Sequence, residues 1–539
     1  MVTARPEPLS KRTTSAVLPV ALLWLLLAGT TQAQELHAGC PAQAQPPDFV
    51  AQAVAAFAEL KPHQTRWRDP LAWQQLLREL DRLRLDGLAP QKYFLSDLAR
   101  MADQVRAGVA ATPCQAQTAT LALMWSLADL AWGRLDPQQL GLIWHETQRP
   151  RDPGAFARGL DHSLQSSQGL RQAYRDARPS IRPYVMLRAA YRDLRRNMPE
   201  SWPVVPAGPT LRKGDSGPAV AALARRLRAQ NYLPRVAATT PDDLDDGADA
   251  GFDDVLEAAV MAYQRDHGLD PDGLVGKATI EALNTPPGAW LARIRANLER
   301  LRWVAPYHGS DMLLVDIAGA RVRLIRDGRK VWRGNAQVGR PERKTPALTS
   351  SLSHVTVNPT WTIPPTVFYE DTLPAIQADP NYLSRNRLTV LDRSGQELDP
   401  ETVDWSTPGS LLLRQAAGPG NALGEVAIRF ANPFAVYLHD TPSRWLFDTP
   451  DRFYSSGCVR VENAMELTDQ LFRPAPEPVR RQLATLRDSG DTRNLSLPDR
   501  LPLVMAYWTA EADPAGGIRF RQDTYGEDRL VVDLLDDER

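Results

Sequence analysis

Apolar residues in the first third of the chain recur with the spacing of amphipathic helices. One predicted helical face collects Phe49, Val50, Val54 and Phe57. A second collects Leu76, Leu77, Leu80 and Leu83. Residues 119–135 are apolar enough to form a buried helix. The pattern therefore predicts an all-helical region over residues 45–200. We see no catalytic cluster there, and His145 and His162 are interpreted as core or surface residues.

A proline-rich segment and a second helical unit follow. Prolines punctuate residues 201–210, which predicts a linker. Residues 211–285 then show two helical faces, and their apolar members are Val220, Leu223, Leu227, Leu256, Val260 and Tyr263. The acidic stretch 242–254 predicts a long solvated loop inside this unit.

From residue 310 onward the pattern changes to that of a β-rich domain, which extends to residue 535. A helix over 291–303 leads into strands at 313–317 and 322–325, and Asp327-Gly328 predicts a hairpin turn. Residues 365–410 have mixed helical and loop character between two core strands, and a long insertion of this kind is usually functional or disordered. The predicted chain end is a strand over 503–509 and a short hairpin around 513–517.

Composition excludes some classes of protein. The 539 residues are too many for one hydrophobic core, and 43% hydrophobic with 24% charged residues is typical of soluble globular domains. A net charge of −1 argues against a nucleic-acid partner, because no basic excess is present to follow phosphates.

The N-terminus predicts export. Lys11 and Arg12 precede an apolar run over 17–28, and a small-residue cleavage site ends at Ala33, so residues 1–33 are interpreted as a signal peptide. Membrane attachment would arise only if this segment stayed uncleaved. In an oxidising compartment Cys40 and Cys114 can pair, although both could also be buried thiols.

The remaining cysteine lies in the most informative stretch of the chain. Cys458 follows His439 by 19 positions, and the histidine ends an apolar run over 435–438 that predicts a strand. Gly457 places the thiol at a predicted tight turn. A free thiol has a pKa of about 8.5, so a neighbouring imidazole is the usual means of activating it.

Simpler interpretations of the pair exist. A lone cysteine is more often a small buried hydrophobe, and a lone histidine is usually structural. A zinc site is less well supported, because no second Cys or His nearby completes a ligand set. We therefore expect no metal and no cofactor. A papain-like protease is disfavoured because its cysteine precedes its histidine.

Several segments together resemble one family. The run 437–442 (YLHDTP) followed by 455–461 (SSGCVRV) resembles the active-site signature of the L,D-transpeptidases with a YkuD-like catalytic domain. The glycine-rich run 415–424, which contains Asn421, resembles the same family's approach to the site. The segments 338–346 and 357–364 resemble the large periplasmic YcbB-like subgroup. Many members of the family have a second histidine where this chain has Ser456, and the YcbB-like subgroup resembles this chain in having serine.

The resemblance extends to the other domains. Residues 85–93 resemble part of that subgroup's helical scaffold, and residues 211–285 are similar to a three-helix peptidoglycan-binding module, for which a spacer that binds nothing is the alternative. The resemblance implies a multidomain α+β protein. Its parts would be a helical N-terminal scaffold, the binding module and a β-rich catalytic domain over 310–535, with residues 365–410 as a lid.

Residue chemistry and the resemblance together define the expected site. Cys458 is expected to attack as the nucleophile, His439 to take and return the proton, and the backbone N–H groups around Gly457 and Cys458 to face the oxyanion. We expect Tyr437, Ser456, Arg460 and Asn421 to contact substrate. For Tyr437 the alternative is core packing, and for Arg460 it is a structural salt bridge. Asp440 is not expected to complete a triad, because strand alternation turns it away from the face of His439.

The resemblance implies the reaction. Enzymes that look like this act on the diaminopimelate of peptidoglycan tetrapeptide stems, release D-alanine and form 3→3 crosslinks in the periplasm, and carbapenems acylate their cysteine. Peptidoglycan stem peptides and other cell-wall synthases would be the partners. The alternatives are an L,D-carboxypeptidase, an enzyme that attaches a lipoprotein to peptidoglycan, and a non-catalytic wall-binding scaffold.

Overall fold

The computed structural model describes residues 45–60, 66–146, 151–166, 168–234, 251–514 and 516–537. The predicted signal peptide, Cys40 and most of the acidic stretch 242–254 lie outside these residues. Across the described part of the chain, no helix combines the length and the apolar character that crossing a membrane would need.

The N-terminal region is built from helices, as their apolar spacing predicts. Proline at the first position and a capping side chain begin several of them: Asp69, Thr112 and Asp152 each accept hydrogen bonds from the first turn. The helices are α1 Asp48–Leu60, α2 Pro70–Arg82, α3 Leu95–Arg106, α4 Pro113–Trp132, α5 Pro153–Gln165, α6 Leu170–Ala177 and α7 Arg182–Asn197. Short 3₁₀ turns cover Leu83–Asp86 and Pro90–Tyr93.

One strand interrupts this helical region, which corrects the all-helical prediction. Strand β1, Trp144–His145, pairs in parallel with the catalytic domain, Trp144 opposite Ala347. Two residues are too few to show a period of two in the sequence, so the pattern could not reveal it. The helical region is thereby joined to the catalytic sheet by backbone hydrogen bonds.

The predicted linker is extended but not free of the domains it joins. Val205 is fully buried, and its backbone N–H and C=O are both hydrogen-bonded to the side chain of Asn284. The helical unit that follows contains α8 Pro218–Ala229, α9 Asp254–Asp266 and α10 Lys277–Leu283. It contacts the catalytic domain where Gly268 approaches the backbone of Arg521.

Helix α11, Pro287–Val304, begins earlier than predicted and leads into the β-rich domain through a 3₁₀ turn at Ala305–Tyr307. The turn at Asp327-Gly328 has the positive φ angles of a tight hairpin, +50° and +69°. The strands of the sheet are β2 Met312–Asp316, β3 Arg321–Arg326, β4 Arg329–Gly339, β5 Ala347–Val357, β10 Val426–Phe430, β11 Leu438–His439, β12 Phe453–Ser455, β13 Val459–Val461 and β14 Arg493–Ala506. A 3₁₀ turn at Pro341–Arg343 lies between β4 and β5.

These strands and β1 form a ten-stranded sheet that closes on itself. Its order is β1-β5-β10-β11-β13-β4-β3-β2-β14, β12 pairs with β4, and β14 pairs back onto β5. Inward apolar side chains such as Leu313, Val355, Ile428 and Val459 fill the interior and are fully buried. Strands β11 and β13 lie in the middle of this order, so the sheet fixes the segments that hold His439 and Cys458.

The insertion predicted over 365–410 is a small subdomain, which we call the lid. It contains more β-structure than predicted, because β6 Trp361–Thr362, β9 Leu412–Gln415, β7 Leu388–Leu391 and β8 Glu397–Leu398 form a separate four-stranded sheet in that order. Its helical turns are α12 Pro365–Val367, a π-helical turn Phe368–Thr372, α13 Leu373–Ala378, α14 Tyr382–Arg385 and a 3₁₀ turn Pro400–Thr402. The lid has a hydrophobic cluster of its own around Phe368, Ile376 and Leu413.

The C-terminal part differs from the prediction in two ways. Strand β14 begins at Arg493, ten residues before the predicted start, and helices α15 Ala464–Phe472 and α16 Glu477–Ser489 precede it. The predicted hairpin is present as β15 Ala510–Ala512 and β16 Ile518–Phe520, but helix α17, Glu527–Asp536, follows it. The sequence pattern did not predict this helix because charged residues interrupt its apolar positions, although Val531 and Leu535 are buried.

Candidate active site

Two short parallel strands carry the predicted nucleophile and base. In the pairing of β11 with β13, Leu438 lies opposite Val459 and His439 opposite Arg460. The N–H of Val459 donates to the carbonyl of Tyr437 at 3.1 Å, so Cys458 lies level with Tyr437 at the strand end. Side chains two residues apart on one strand share a face, which puts His439 and Cys458 in diagonal positions within side-chain reach.

The imidazole of His439 is held in one orientation. It is 5% exposed, and its Nδ1 lies 2.5 Å from the backbone carbonyl oxygen of Asp440. A carbonyl can only accept, so Nδ1 carries the proton and Nε2 is left as the basic nitrogen. Burial, with the positive charge of Arg460 as the second cause, lowers the pKa of His439 to about 3. The imidazole is therefore neutral at physiological pH.

Asp440 supports the histidine through its backbone and not its carboxylate. Asp440 Oδ2 accepts from the N–H of Glu425 at 3.0 Å and lies 3.4 Å from the Arg444 guanidinium. Gly424 makes this arrangement possible: its φ is +61°, and a Cβ there would lie 2.2 Å from Asp440 Oδ2. The carboxylate is thus turned away from His439, as strand alternation indicates.

Cys458 is a free thiol, while Cys114 is disulfide-bonded. Burial raises the pKa of Cys458 above its ordinary value, against the opposing effects of Tyr437, Arg429 and Arg460. The Tyr437 ring lies 5.6 Å from the His439 ring, and the Arg429 guanidinium stacks 4.0 Å from the centre of the Tyr437 ring. Near neutral pH Cys458 is therefore a protonated thiol and His439 a neutral imidazole.

The turn before the cysteine corrects the role expected for Gly457. Gly457 has φ +111°, so its need for glycine comes from the backbone; the nearest atom to a built Cβ lies 3.5 Å away. Its N–H donates to Ser455 Oγ at 3.1 Å and is not free to face an oxyanion. Ser455 Oγ in turn donates to the Cys458 carbonyl at 2.5 Å. Within the described residues the N–H of Cys458 has no backbone acceptor, so it is the N–H of this turn that remains available to a ligand.

Two buried residues hold this turn from below, and neither was singled out from sequence. Thr345 Oγ1 donates to the Gly457 carbonyl at 2.9 Å and accepts from the N–H of Gly339 at 2.8 Å. The Tyr525 hydroxyl donates to the Gly339 carbonyl at 2.7 Å and accepts from the N–H of Thr345 at 3.0 Å. Thr345 lies in the segment 338–346 that resembles the family, but no sequence pattern connects it with Tyr525, 180 positions later.

A cleft of about 270 Å³ opens between the lid and the catalytic domain. Trp361, Asp371 and Gln415 line it from the lid side, and Thr441, Ser443 and Arg460 from the catalytic side. Arg460 Nη1 donates to Gln337 Oε1 at 3.0 Å, and the described residues give its guanidinium no carboxylate partner. The salt bridge considered for Arg460 is therefore not seen there.

The two other expected substrate contacts have different surroundings. Ser456 is exposed, and its Oγ accepts from Arg343 Nη1 at 3.0 Å. Asn421 is fully buried: its amide donates to the Ala416 carbonyl at 2.9 Å, and its Oδ1 accepts from the N–H of Leu423 at 2.8 Å. These contacts correct the expectation for Asn421, which shapes the 415–424 loop from inside. The described residues contain no group of three His, Cys, Asp or Glu side chains placed to hold a metal ion.

Family comparisons agree with this architecture. Residues 310–475 match the model of the L,D-transpeptidase catalytic domain, YkuD, residues 216–283 match one described as "Putative peptidoglycan binding domain", and residues 52–190 match a scaffold domain. The molecule is a multidomain protein with an N-terminal helical region, a peptidoglycan-binding domain and a β-rich catalytic domain. Its β-rich domain matches the YkuD model of the L,D-transpeptidase catalytic domain over residues 310–475.

Individual relatives cover less of the chain. It is 35% identical over 242 residues to a Haemophilus influenzae protein named "Putative L,D-transpeptidase", a match that covers 44% of this chain and 48% of that protein. The chain thus matches about half the length of that relative. An L,D-transpeptidase structure from Mycobacterium smegmatis is 16% identical, covers 36% of this chain and 58% of its own, and has a TM-score of 0.17. An L,D-transpeptidase structure from Xylanimonas cellulosilytica is 18% identical, and the match covers 56% of this chain and 98% of that chain, with a TM-score of 0.18.

Proposed function

We propose that this protein is a cysteine L,D-transpeptidase of the cell wall, with Cys458 as nucleophile and His439 as general base. The hydrogen bond from His439 Nδ1 to the Asp440 carbonyl carries the proposal. It fixes the tautomer whose Nε2 can accept a proton, on the strand face that also holds the thiol. What distinguishes His439 is that the free thiol of Cys458 lies on the same strand face, where Nε2 can accept its proton.

The first half-reaction forms a thioester. As the sulfur of Cys458 attacks the substrate carbonyl, its proton passes to His439 Nε2, and the negative charge on the carbonyl oxygen is met by the N–H of Cys458. Loss of such a donor costs about 3 kcal/mol of barrier. When the tetrahedral intermediate collapses, the C–N bond breaks and the imidazolium returns its proton to the leaving amine.

In the second half-reaction Cys458 is the leaving group and His439 acts first as the base and then as the acid. An acceptor amine attacks the thioester, His439 removes one of its protons, and the thiol of Cys458 leaves with that proton. The product is a new amide bond, and water in place of the amine would give a free acid. The choice between transfer and hydrolysis therefore depends on which acceptor reaches the cleft under the lid.

The substrate follows from the domains and the charge of the cleft. A peptidoglycan-binding domain on the same chain favours a peptidoglycan stem, and Arg460 is a guanidinium at the cleft with no carboxylate partner among the described residues. Such a group suits an acidic stem peptide. We propose acylation on the diaminopimelate of a tetrapeptide stem, release of D-alanine and formation of 3→3 crosslinks in the periplasm.

The first experiment is mass spectrometry of the mature protein incubated with a carbapenem, beside Cys458→Ala and His439→Gln. One adduct on wild type, absent from Cys458→Ala and formed more slowly by His439→Gln, is the expected result. If the folded wild-type protein stays unmodified, Cys458 is not an activated nucleophile, and a non-catalytic wall-binding scaffold becomes the better interpretation.

The second experiment incubates the protein with disaccharide-tetrapeptides. Crosslinked dimers together with free D-alanine are expected. Tripeptides alone would make the protein an L,D-carboxypeptidase. Products that form only when a lipoprotein acceptor is added would make it an attachment enzyme.

A further inference from the structure

A cluster of arginines and carboxylates joins the lid to the catalytic domain. Arg343 Nη1 lies 2.5 Å from Asp371 Oδ2, and its Nη2 lies 2.5 Å from Glu370 Oε2. Arg340 adds a contact of 3.3 Å to Asp371. Arg343 comes from the catalytic domain and is 9% exposed, whereas both carboxylates come from the π-helical turn of the lid. Two lid carboxylates therefore fill the guanidinium fork of Arg343.

This cluster extends to the turn that precedes Cys458. Arg343 Nη1 also donates to Ser456 Oγ at 3.0 Å, and Ser456 is two residues before Cys458. Asp371 lines the same cleft as Arg460. A carboxylate that replaced Asp371 on Arg343 would thus lie at the edge of the proposed peptide-binding cleft.

The lid is a separate structural unit inserted into the catalytic domain. It is inserted between β5 and β10, which pair directly with each other, Val357 opposite Val426. It has its own sheet and its own hydrophobic cluster, so a change in its position leaves the ten-stranded sheet intact. The carboxylates of Glu370 and Asp371 are 60% and 40% exposed, and exposed ion pairs are individually weak and easily exchanged.

We propose that Arg343, Arg340 and the Ser456 hydroxyl form a second carboxylate-binding position beside the nucleophile, which Glu370 and Asp371 of the lid occupy as stand-ins for a carboxylate of the incoming peptide. A guanidinium fork binds carboxylates through two parallel hydrogen bonds, which matches both the occupant in this structure and an acidic peptide. Substrate binding and lid attachment then compete for one fork. The identity of the peptide rests on the proposed function, but the carboxylate chemistry of the position does not.

The test compares alkylation of Cys458 by iodoacetate with alkylation by iodoacetamide, its neutral counterpart, in the full-length protein. The double variant Glu370→Gln and Asp371→Asn frees the fork without changing side-chain size. The matched control, Glu397→Gln with Glu401→Gln, removes two exposed charges from the same lid away from Arg343. We expect the iodoacetate-to-iodoacetamide rate ratio to rise about fivefold in the first variant only, as for release of an exposed ion pair.

Adding Arg343→Gln to the first variant is expected to return the ratio to the wild-type value or below. An unchanged ratio, an equal rise in the control, or a rise that survives Arg343→Gln would overturn the proposal. Asp371→Asn alone, with a smaller expected rise, serves if the double variant unfolds. Alkylation needs no peptidoglycan, so the two proposals can fail separately. If the protein crosslinks peptides but the rate ratio does not rise, only the carboxylate-binding position is refuted. If the ratio rises but the protein does not crosslink peptides, only the proposed function is refuted.

Discussion

The hydroxyl of Thr345 donates to the carbonyl oxygen of Gly457 at 2.9 Å and is 3% exposed as a residue. The bond holds the peptide that joins Gly457 to Cys458, with its carbonyl directed into the protein. Because the two ends of a trans peptide point in opposite directions, the N–H of Cys458 is directed the other way. The Thr345 side chain thus sets the direction of the N–H that we propose as the oxyanion donor.

Thr345→Val should therefore slow acylation as well as destabilise the fold. The valine keeps the shape but leaves two buried backbone groups unpaired, a loss of about 1–3 kcal/mol in stability. We expect the carbapenem acylation rate to fall about tenfold or more through the misdirected donor. Thr345→Ser, which keeps the hydroxyl, should restore most of the rate. If the serine variant is as slow as the valine variant, the hydrogen bond is not the cause.

Gly457→Ala should lose both stability and reactivity, because the backbone has φ +111°. A left-handed conformation costs an alanine about 1–2 kcal/mol, and relaxing it would move the thiol. Gly395, with φ +89° and no atom within 4 Å of a built Cβ, lies in the lid and gives a matched control. Gly395→Ala should show a similar fall in thermal stability with an unchanged acylation rate. Equal acylation by the two variants would contradict the argument.

The resting protonation state can be tested by its pH dependence. Burial lowers the pKa of His439 to about 3 and raises the pKa of Cys458, so neither group is charged near neutral pH. Only the thiolate reacts with iodoacetamide. The alkylation rate should therefore climb tenfold per pH unit through neutrality and above pH 8.5, about the pKa of a free thiol. A rate that is constant between about pH 5 and 8 would instead indicate a preformed thiolate–imidazolium pair.

Much of the architecture is predictable because it depends on local periodicity. The helices of the N-terminal region, the Asp327-Gly328 hairpin and the two strands after residue 310 all follow from apolar spacing and turn chemistry. Strand β1 and the beginning of β14 do not, because their pairing with β5 is a tertiary contact. Helix α17 is missed for a similar reason, since only packing selects the side that Val531 and Leu535 bury.

In the candidate site, too, the local features were predictable and the long-range contacts were not. The positions of His439 and Cys458 in the chain indicate a reactive pair, and strand alternation correctly turns the Asp440 carboxylate away. What the sequence does not contain is the hydrogen-bond pattern of the turn. The N–H of Gly457, which was expected to face the oxyanion, donates instead to the Ser455 hydroxyl. Thr345, which holds the turn, is 113 positions from Cys458. Contacts of that separation are fixed only when the sheet forms.

Arg460→Gln should weaken the use of substrates that carry a free carboxylate. The guanidinium lines the cleft and donates to the neutral side chain of Gln337, so it can accept a carboxylate without giving up an ion pair among the described residues. We expect kcat/KM for a tetrapeptide with a free diaminopimelate carboxylate to fall about 10- to 100-fold, the cost of losing a charge-assisted bidentate contact. KM should account for most of the fall, and Arg460→Lys should recover part of it. The same tetrapeptide with that carboxylate amidated is the control, because it never had the contact. If Arg460→Gln reduces the use of both peptides equally, the arginine supports the fold through Gln337 and does not bind the carboxylate.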